Sequence, residues 1–280
     1  MFELYTLLPA LPLWYWQLVA FGFGVVIGSF LNVFIYRLHT GKSLSGSSHC
    51  LSCGRPLRWY ELFPLLSYIA LRGRCRTCGC RVPLRYFVVE LTTGLLFAAS
   101  VTLSTALPEL LLWWLIWSIL IVILVYDYYH YIIPDELTLA LLVAVIALRG
   151  AAWWQSSGEM VALLVLVGAA AAGSAFFWLL WYISSGRWLG FGDVKLAFPL
   201  GLLVGPALVF SFVVYAFWIG AVISLALIGW QHLKRGKAGL QSLSSGLTMK
   251  SAVPFAPFLI ASGTLLIFYP LNVLTLFSFA

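Results

Sequence analysis

The sequence predicts an all-α polytopic membrane protein with about eight transmembrane helices and one long cytoplasmic loop. Of its 280 residues, 62% are hydrophobic and 9% are charged, whereas a soluble domain carries roughly 25% charged residues. Because a membrane-crossing helix needs about 20 mostly apolar residues, long charge-free stretches are the second sign. Asp, Glu, Lys and Arg are absent from Leu91 to Pro108, Leu110 to Tyr126, Met160 to Gly186, Leu196 to Leu233 and Ser251 to Ala280.

The distribution of basic residues predicts the direction of each helix. Nine of the 16 Lys and Arg residues lie between Arg37 and Arg85, where Glu61 is the single acid. Loops rich in Lys and Arg stay in the cytoplasm, so the first loop is expected there, with both chain termini outside. The first helix lacks the positive flank of a removable signal peptide and is expected to be retained. The expected helices are about 13–36, 86–107, 109–128, 132–150, 159–183, 194–207, 208–231 and 253–276.

Several of these helices carry further signs. The helix at 194–207 is short and is bounded by Gly205-Pro206, so it is expected to be tilted or partly re-entrant. Asp135 is expected to cap the helix at 132–150. Arg149 is the one charge that runs against the topology. Trp113, Trp114 and Trp117 are expected in an aromatic belt at the outer membrane surface.

The chain is expected to have three parts: the first transmembrane helix at 1–36, the loop at 37–85, and a helical membrane domain at 86–280.

The net charge of +7 follows from the topology. A nucleic-acid-binding protein would instead show a soluble basic face with interleaved aromatic residues, so no nucleic-acid partner is expected. The basic loop, with Arg72, Arg74 and Arg76, is expected to contact anionic membrane lipids.

The loop contains two pairs of cysteines, Cys50-Leu-Ser-Cys53 and Cys75-Arg-Thr-Cys78. Two CxxC pairs hold four thiolates around one tetrahedral Zn²⁺. The sequence therefore predicts a zinc-ribbon-like loop with Cys50, Cys53, Cys75 and Cys78 as ligands and a structural metal. Disulfides are the alternative, which a reducing cytoplasm disfavours. Cys80 is expected to be a bystander.

Asp127 and Asp193 are the candidate catalytic residues. The predicted topology brings both to the cytoplasmic ends of their helices, in Tyr126-Asp127-Tyr128 and in Gly190-Phe-Gly-Asp193. Acids in membrane segments are costly and mark functional sites by default. Two adjacent carboxyl groups that share one proton supply a general base and a general acid, as in aspartic peptidases. Alternatively, both aspartates end helices at the interface and pair with Lys195 or Arg187.

Taken together, the motifs resemble the type IV prepilin peptidase family, a GxGD-type intramembrane aspartic peptidase family, over nearly the whole chain and in the family's order. The departures, His39, Cys80 and Ala256, do not touch the two aspartates. The matching motifs are Gly28-Ser-Phe-Leu-Asn-Val33, the two CxxC pairs, Glu61-Leu-Phe-Pro-Leu-Leu-Ser-Tyr68, Val89-Glu-Leu-Thr-Thr-Gly94, Asp127 with Ile133-Pro-Asp135, Gly190 to Leu196 and Val253-Pro-Phe-Ala-Pro-Phe258.

This resemblance implies an eight-helix enzyme of the bacterial inner membrane. It implies cleavage of the basic leader of type IV prepilins or pseudopilins, usually between Gly and Phe, with Asp127 and Asp193 as the catalytic pair. It also implies N-methylation of the new amino terminus with S-adenosylmethionine, for which Glu90 and Gly94 are the candidate residues. Two alternatives remain: a peptidase of the presenilin type, and a non-catalytic assembly factor or transporter whose zinc loop docks a partner.

Overall fold

The computed structural model describes residues 11–40, 43, 46, 48–104, 106–155, 158–235 and 254–277 of the chain. The chain divides into two compact units, Met1–Val125 and Tyr126–Ala280. Among the described residues the regular structure is helical, with isolated β-bridges in place of strands. The helices are α1 Leu13–Arg37, α2 Leu66–Ala70, α3 Leu84–Ser100, α4 Leu107–His130, α5 Asp135–Gln155, α6 Met160–Ser184, α7 Phe191–Val204, α8 Val209–Arg235, α9 Ala256–Phe268 and α10 Val273–Phe277.

The all-helical membrane fold is confirmed, but the number of crossings is not. Five helices, α1, α4, α5, α6 and α8, are long and apolar enough to span a membrane. The other three expected spans are shorter: α3 has 17 residues, α7 has 14 and α9 has 13. Thus α3 ends at Ser100 and not near residue 107. The chain turns there before Pro108, which is favoured in the first turn of the next helix and disfavours helix before it.

In the first unit, α1 and α3 approach closely through glycines. A methyl group on Gly24 would lie 2.8 Å from the backbone oxygen of Thr93, and one on Gly28 would lie 2.8 Å from the Cα atom of Glu90. On the α3 side of the contact, a methyl group on Gly94 would lie 2.6 Å from the Val25 side chain and 2.8 Å from the Phe21 ring. Gly24 and Gly28 form the small-xxx-small pattern that lets membrane helices pack backbone to backbone.

Aromatic side chains join α3 to the first part of α4. The rings of Phe97 and Trp114 stack with centroids 5.0 Å apart, and the Trp117 Nε1–H donates to Ser100 Oγ at 2.8 Å. The expected outer aromatic belt is therefore wrong for two of its members. Trp117 is 0% exposed and Trp113 is 9% exposed, because their indoles fill the interior of the protein.

In the second unit, α7 is the central helix. It contacts α5, α6, α8 and α9, and ten of its 14 residues are buried. A methyl group on Gly201 would lie 3.1 Å from the Cα atom of Ala170 on α6. The Ser174 Oγ–H, also on α6, donates to the Val194 carbonyl at 2.9 Å. The short helix is thus enclosed by longer ones.

We expect Gly24→Ala to destabilise the protein by about 1–3 kcal/mol, the usual effect of overpacking. The added methyl group would meet α3 backbone atoms, which cannot rotate away. Gly22→Ala on the same helix is the matched control, since nothing lies within 4 Å of its would-be Cβ. Thermal unfolding in detergent measures both variants. Equal stability of the two would contradict the close α1–α3 contact.

Candidate functional site

Asp127 lies in the last turn of α4, and its carboxyl group lacks a full set of partners. The residue is 5% exposed. Its Oδ2 atom is buried and has no hydrogen-bond partner among the described residues. Buried polar atoms are nearly always satisfied in folded proteins. An unpaired buried carboxyl oxygen is therefore a functional candidate.

Asp193 lies in the first turn of α7, where the Gly190-Phe-Gly192 turn positions it. Its Oδ2 atom accepts a hydrogen bond from the Gly190 N–H at 3.2 Å, and the Asp193 N–H donates to the Gly190 carbonyl at 3.1 Å. Asp193 is 6% exposed. The carboxyl group thus folds back over the helix N-terminus, a position that favours an acid.

The segment after Asp127 packs directly on this turn. A methyl group on Gly192 would lie 3.0 Å from Ile133 Cβ, so only glycine lets the two segments approach this closely. Both aspartates belong to the unit Tyr126–Ala280 and both are buried. The structure therefore places the two predicted acids on adjoining segments of one unit.

The basic residues that could have paired with these aspartates contact other groups. Lys195 Nζ binds the Asp135 carboxylate at 2.8 and 3.0 Å. The Arg187 Nε–H donates to the Ser184 carbonyl at 3.1 Å. Asp135 is also the first residue of α5 and not the cap before it, so that expectation is wrong. Its side chain points to Lys195 instead.

Arg149 lies over the far end of the helix that carries Asp193. From α5, its guanidinium donates to the carbonyl oxygen of Leu202 at 3.0 Å and also to that of Leu203. These carbonyls belong to the last turn of α7, where no helical N–H reaches them. A cation also stabilises the negative end of the helix dipole. Arg149 therefore holds α7 in place.

The two CxxC segments fold alike. In the first, the Cys50 N–H donates to Arg55 O and the Gly54 N–H to Cys50 O, each at 2.9 Å. In the second, the Cys75 N–H donates to Cys80 O at 2.8 Å and the Gly79 N–H to Cys75 O at 2.9 Å. Both glycines have positive φ, +70° and +68°, which glycine adopts without strain.

The two segments bring four thiols into one cluster. The Sγ atoms of Cys50, Cys53, Cys75 and Cys78 lie within 4.8 Å of one another. Four thiolates around Zn²⁺ at about 2.3 Å would be separated by about 3.8 Å, which a small contraction of this cluster provides. The fifth cysteine lies beside the cluster, with its sulfur 3.5 Å from the Cys50 sulfur.

Backbone N–H groups favour the thiolate forms of the first cysteine in each pair. Those of Cys53 and Ser52 lower the pKa of Cys50 to about 6. Those of Cys78 and Thr77 lower the pKa of Cys75. Because thiolates are the metal-binding form, the cluster suits a soft divalent ion.

An internal ion pair supports the cluster. The Arg55 guanidinium binds the Glu61 carboxylate at 2.6 Å. The Arg58 N–H and then Arg55 hold the pKa of Glu61 below its usual range. This pair ties the end of the first cysteine segment to the turn at Trp59–Glu61.

The first unit also contains a cavity of about 230 Å³ next to Glu90. Glu90 is 8% exposed, and its Oε2 atom accepts a hydrogen bond from the Leu65 N–H at 2.8 Å. Asn32 lines the same cavity; its Nδ2 donates to the Tyr86 carbonyl, and its Oδ1 has no partner among the described residues. The cavity thus offers acceptors for a ligand with N–H donors or positive charge.

Gly94 does not line this cavity. It lies one helical turn from Glu90, in the contact between α3 and α1. Its observed role is to let the two helices approach.

Two family models match the chain. The one described as the bacterial peptidase A24 N-terminal domain matches residues 23–104, and the one described as the type IV leader peptidase family matches residues 114–225. The chain belongs to the type IV leader peptidase family. In this leader peptidase family member, the first range holds the cysteine cluster, Glu90 and Gly94, and the second holds both aspartates.

Curated relatives of this family member share parts of the sequence and bear the name prepilin leader peptidase/N-methyltransferase. The protein of Myxococcus xanthus is 52% identical over 80 residues, which are 28% of this chain and 24% of the relative. That of Vibrio cholerae is 40% identical over 90 residues, 29% of this chain and 36% of the relative. That of Aeromonas hydrophila is 37% identical over 142 residues, 40% of this chain and 49% of the relative.

The chain spans less than half the length of each of these relatives. No solved structure matches the chain.

The leader peptidase sequence contained weaker signals for further site residues. Arg149 contradicts the charge topology, which is the signal that it serves an internal role. The Ile133-Pro-Asp135 motif contains both contacting residues, since Ile133 meets Gly192 and Asp135 binds Lys195. Asn32 lies within the Gly28–Val33 motif but was not singled out there.

We expect Arg149→Met to lower the free energy of unfolding by about 1–3 kcal/mol, because buried carbonyl groups at the end of α7 would lose their donor. Arg149→Lys should restore part of the loss, since it keeps a cation near the same carbonyls. Thermal unfolding in lipid nanodiscs compares the three proteins. If the Met variant is as stable as the parent protein, Arg149 does not hold α7.

Proposed function

We propose that the protein is an intramembrane aspartic endopeptidase that removes the basic leader from type IV prepilins or pseudopilins. The observation that carries this proposal is that Asp127 and Asp193 are both buried in one unit and that Asp127 Oδ2 has no partner among the described residues. The nearest basic side chain in the motif, Lys195, is engaged by Asp135. Membership of the leader peptidase family supports the substrate class.

The pair accounts for peptide hydrolysis without a further group. One carboxylate takes a proton from water, whose oxygen bonds to the scissile carbonyl carbon. The other, protonated carboxyl group donates to the carbonyl oxygen. When the C–N bond breaks, the nitrogen takes a proton and leaves as the new amino terminus. The low polarity around both residues favours one shared proton over two charges.

The site lies at helix ends, which suits a substrate that enters along the membrane. Asp127 lies in the last turn of α4 and Asp193 in the first turn of α7. A prepilin would present its basic leader in the cytoplasm and its apolar helix in the bilayer, so the bond between them, typically Gly–Phe, lies at the inner surface. We therefore place the protein in the bacterial inner membrane, with both termini outside and the site facing the cytoplasm.

We expect Asp127→Asn and Asp193→Asn each to lower the rate of leader cleavage by about 10²–10⁴-fold or more, as loss of a general acid or base does. The assay mixes the purified protein in lipid with a prepilin and weighs the products by mass spectrometry. Asp135→Asn is the matched control, because Asp135 is mostly exposed and pairs with Lys195. It should retain cleavage.

The same assay tests the alternative of a non-catalytic assembly factor or transporter. Intact substrate with the parent protein across several prepilins would favour that alternative. Cleavage that persists in both Asn variants would remove the aspartates from the catalytic role.

We propose that the cysteine cluster binds one structural Zn²⁺ through Cys50, Cys53, Cys75 and Cys78. The mutual spacing of the four sulfurs supports this ligand set. Four protein ligands leave no open position on the metal. The ion would fold the loop and take no part in cleavage.

We expect Cys53→Ser and Cys75→Ser each to abolish stoichiometric zinc, while Cys80→Ser retains one zinc per chain. The reason is that Cys80 lies beside the cluster and not within it. Elemental analysis of the purified proteins gives the zinc content directly. Loss of zinc in the Cys80 variant, with retention in the Cys53 variant, would assign Cys80 as the fourth ligand instead.

A second activity is proposed for the cavity beside Glu90. S-adenosylmethionine would supply a methyl group to the new amino terminus, which loses a proton as the N–C bond forms and the sulfonium becomes a thioether. The Glu90 carboxylate and the Asn32 carbonyl oxygen suit the positive charge and N–H groups of these reactants. Gly94 would act by keeping α1 and α3 close. Mass spectrometry of the cleaved product reports the added methyl group.

A further inference from the structure

The segment from Trp59 to Ala70 in the cysteine loop exposes a group of large apolar side chains. It contains a 3₁₀ turn, Trp59–Glu61, and after a short non-helical stretch the helix α2. Five of its large apolar residues are exposed. We call this set the loop face: Trp59, Leu62, Phe63, Leu66 and Ile69, which are 74%, 42%, 50%, 68% and 62% exposed.

The other side of the segment is attached to the protein. Glu61 is 8% exposed and binds Arg55 at 2.6 Å. The Tyr68 ring packs on Phe87 in the first turn of α3, with centroids 5.4 Å apart. One part of the segment is therefore anchored to the protein, and among the residues that the structure describes the loop face remains exposed.

Contacts with α3 fix the position of the segment along that helix. The Leu65 N–H, at the start of α2, binds the Glu90 carboxylate at 2.8 Å. Glu90 follows Leu84, the first residue of α3, by six positions, which is about 9 Å along a helix. Helix α2 thus lies beside the first two turns of α3 and not beyond its end.

The backbone on both sides of α2 is held in an unusual conformation. Leu65 and Arg72 have φ values of +59° and +51°, which non-glycine residues rarely adopt. Such conformations persist only where surrounding contacts maintain them. The Leu65 contact with Glu90 is one of these, so the orientation of the loop face is built into the fold.

Exposed arginines flank the loop face. Arg58, Arg72, Arg74 and Arg76 are exposed. The guanidinium groups of Arg58 and Arg76 both donate to the Tyr60 hydroxyl, at 3.0 and 3.2 Å, so they lie together on one side of the 3₁₀ turn. An apolar face bordered by arginines matches the boundary between acyl chains and anionic headgroups.

We propose that the loop face inserts into the lipid monolayer around the N-terminal end of α3, with the flanking arginines at the headgroups. The occupant is lipid and not a protein partner, because the arginines beside the loop face suit anionic headgroups. The segment also lies beside α3, a helix of 17 residues and about 26 Å. The hydrocarbon core of a bilayer is about 30 Å thick. If α3 crosses it, a helix of this length has its first two turns inside the bilayer. The proposal depends on that crossing and not on the peptidase activity.

Photo-cross-linking in the intact protein tests this placement. p-Benzoylphenylalanine replaces Leu66 or Ile69 of the loop face in protein reconstituted into phosphatidylglycerol–phosphatidylcholine nanodiscs. Leu95 on α3, which is 55% exposed, is the positive control for acyl contact.

We expect lipid adducts at Leu66 and Ile69 in at least half the yield found at Leu95. Retained cleavage by each labelled protein shows that the fold is intact. Adduct yields at Leu66 and Ile69 tenfold or more below the yield at Leu95 would overturn the proposal. So would adducts to a second protein chain in place of lipid, which would make the loop face a protein interface. Failure of prepilin cleavage in the unlabelled protein would leave these lipid yields unaffected.

Discussion

The hydrocarbon of a bilayer has no hydrogen-bond partners, so polar groups within it must be satisfied inside the protein. This constraint explains the otherwise unrelated polar contacts among the helices. The side chain of Asn32 donates to the Tyr86 carbonyl, the Trp117 indole to Ser100, and Arg149 to the last carbonyls of α7. Among the described residues, the Oδ2 atom of Asp127 is an exception, since it is buried without a hydrogen-bond partner. This exception lies where we propose that the protein acts on its substrate.

The sequence predicted the main features of the site because they depend on local patterns. Two CxxC pairs fold locally, each around its own glycine, so their spacing was enough to predict the cluster. Charge asymmetry predicted that Asp127 and Asp193 would share one membrane depth, and the structure places both in one unit. The contact between Ile133 and Gly192 then explains why the second motif requires glycine.

Other features were beyond sequence reasoning because tertiary contacts decide them. Arg149 violated the charge rule, but the carbonyls that it binds lie more than fifty residues away. Trp117 was assigned to the membrane surface because tryptophans favour interfaces, whereas its indole has a hydroxyl partner in the interior. The end of α3 at Ser100 and the shortness of α7 likewise depend on turns and neighbours that periodicity does not reveal.

The glycine contact between α1 and α3 also affects the loop between them. Because Gly24 and Gly28 touch α3 directly, the two ends of the segment from Leu38 to Pro83 are held together before that segment folds. Bringing the ends of a long flexible chain together costs entropy that grows with its length, and the contact between the two helices offsets that cost for the loop. Local unfolding of the loop would therefore leave α1 and α3 joined, and the loop would refold with its two ends already in place.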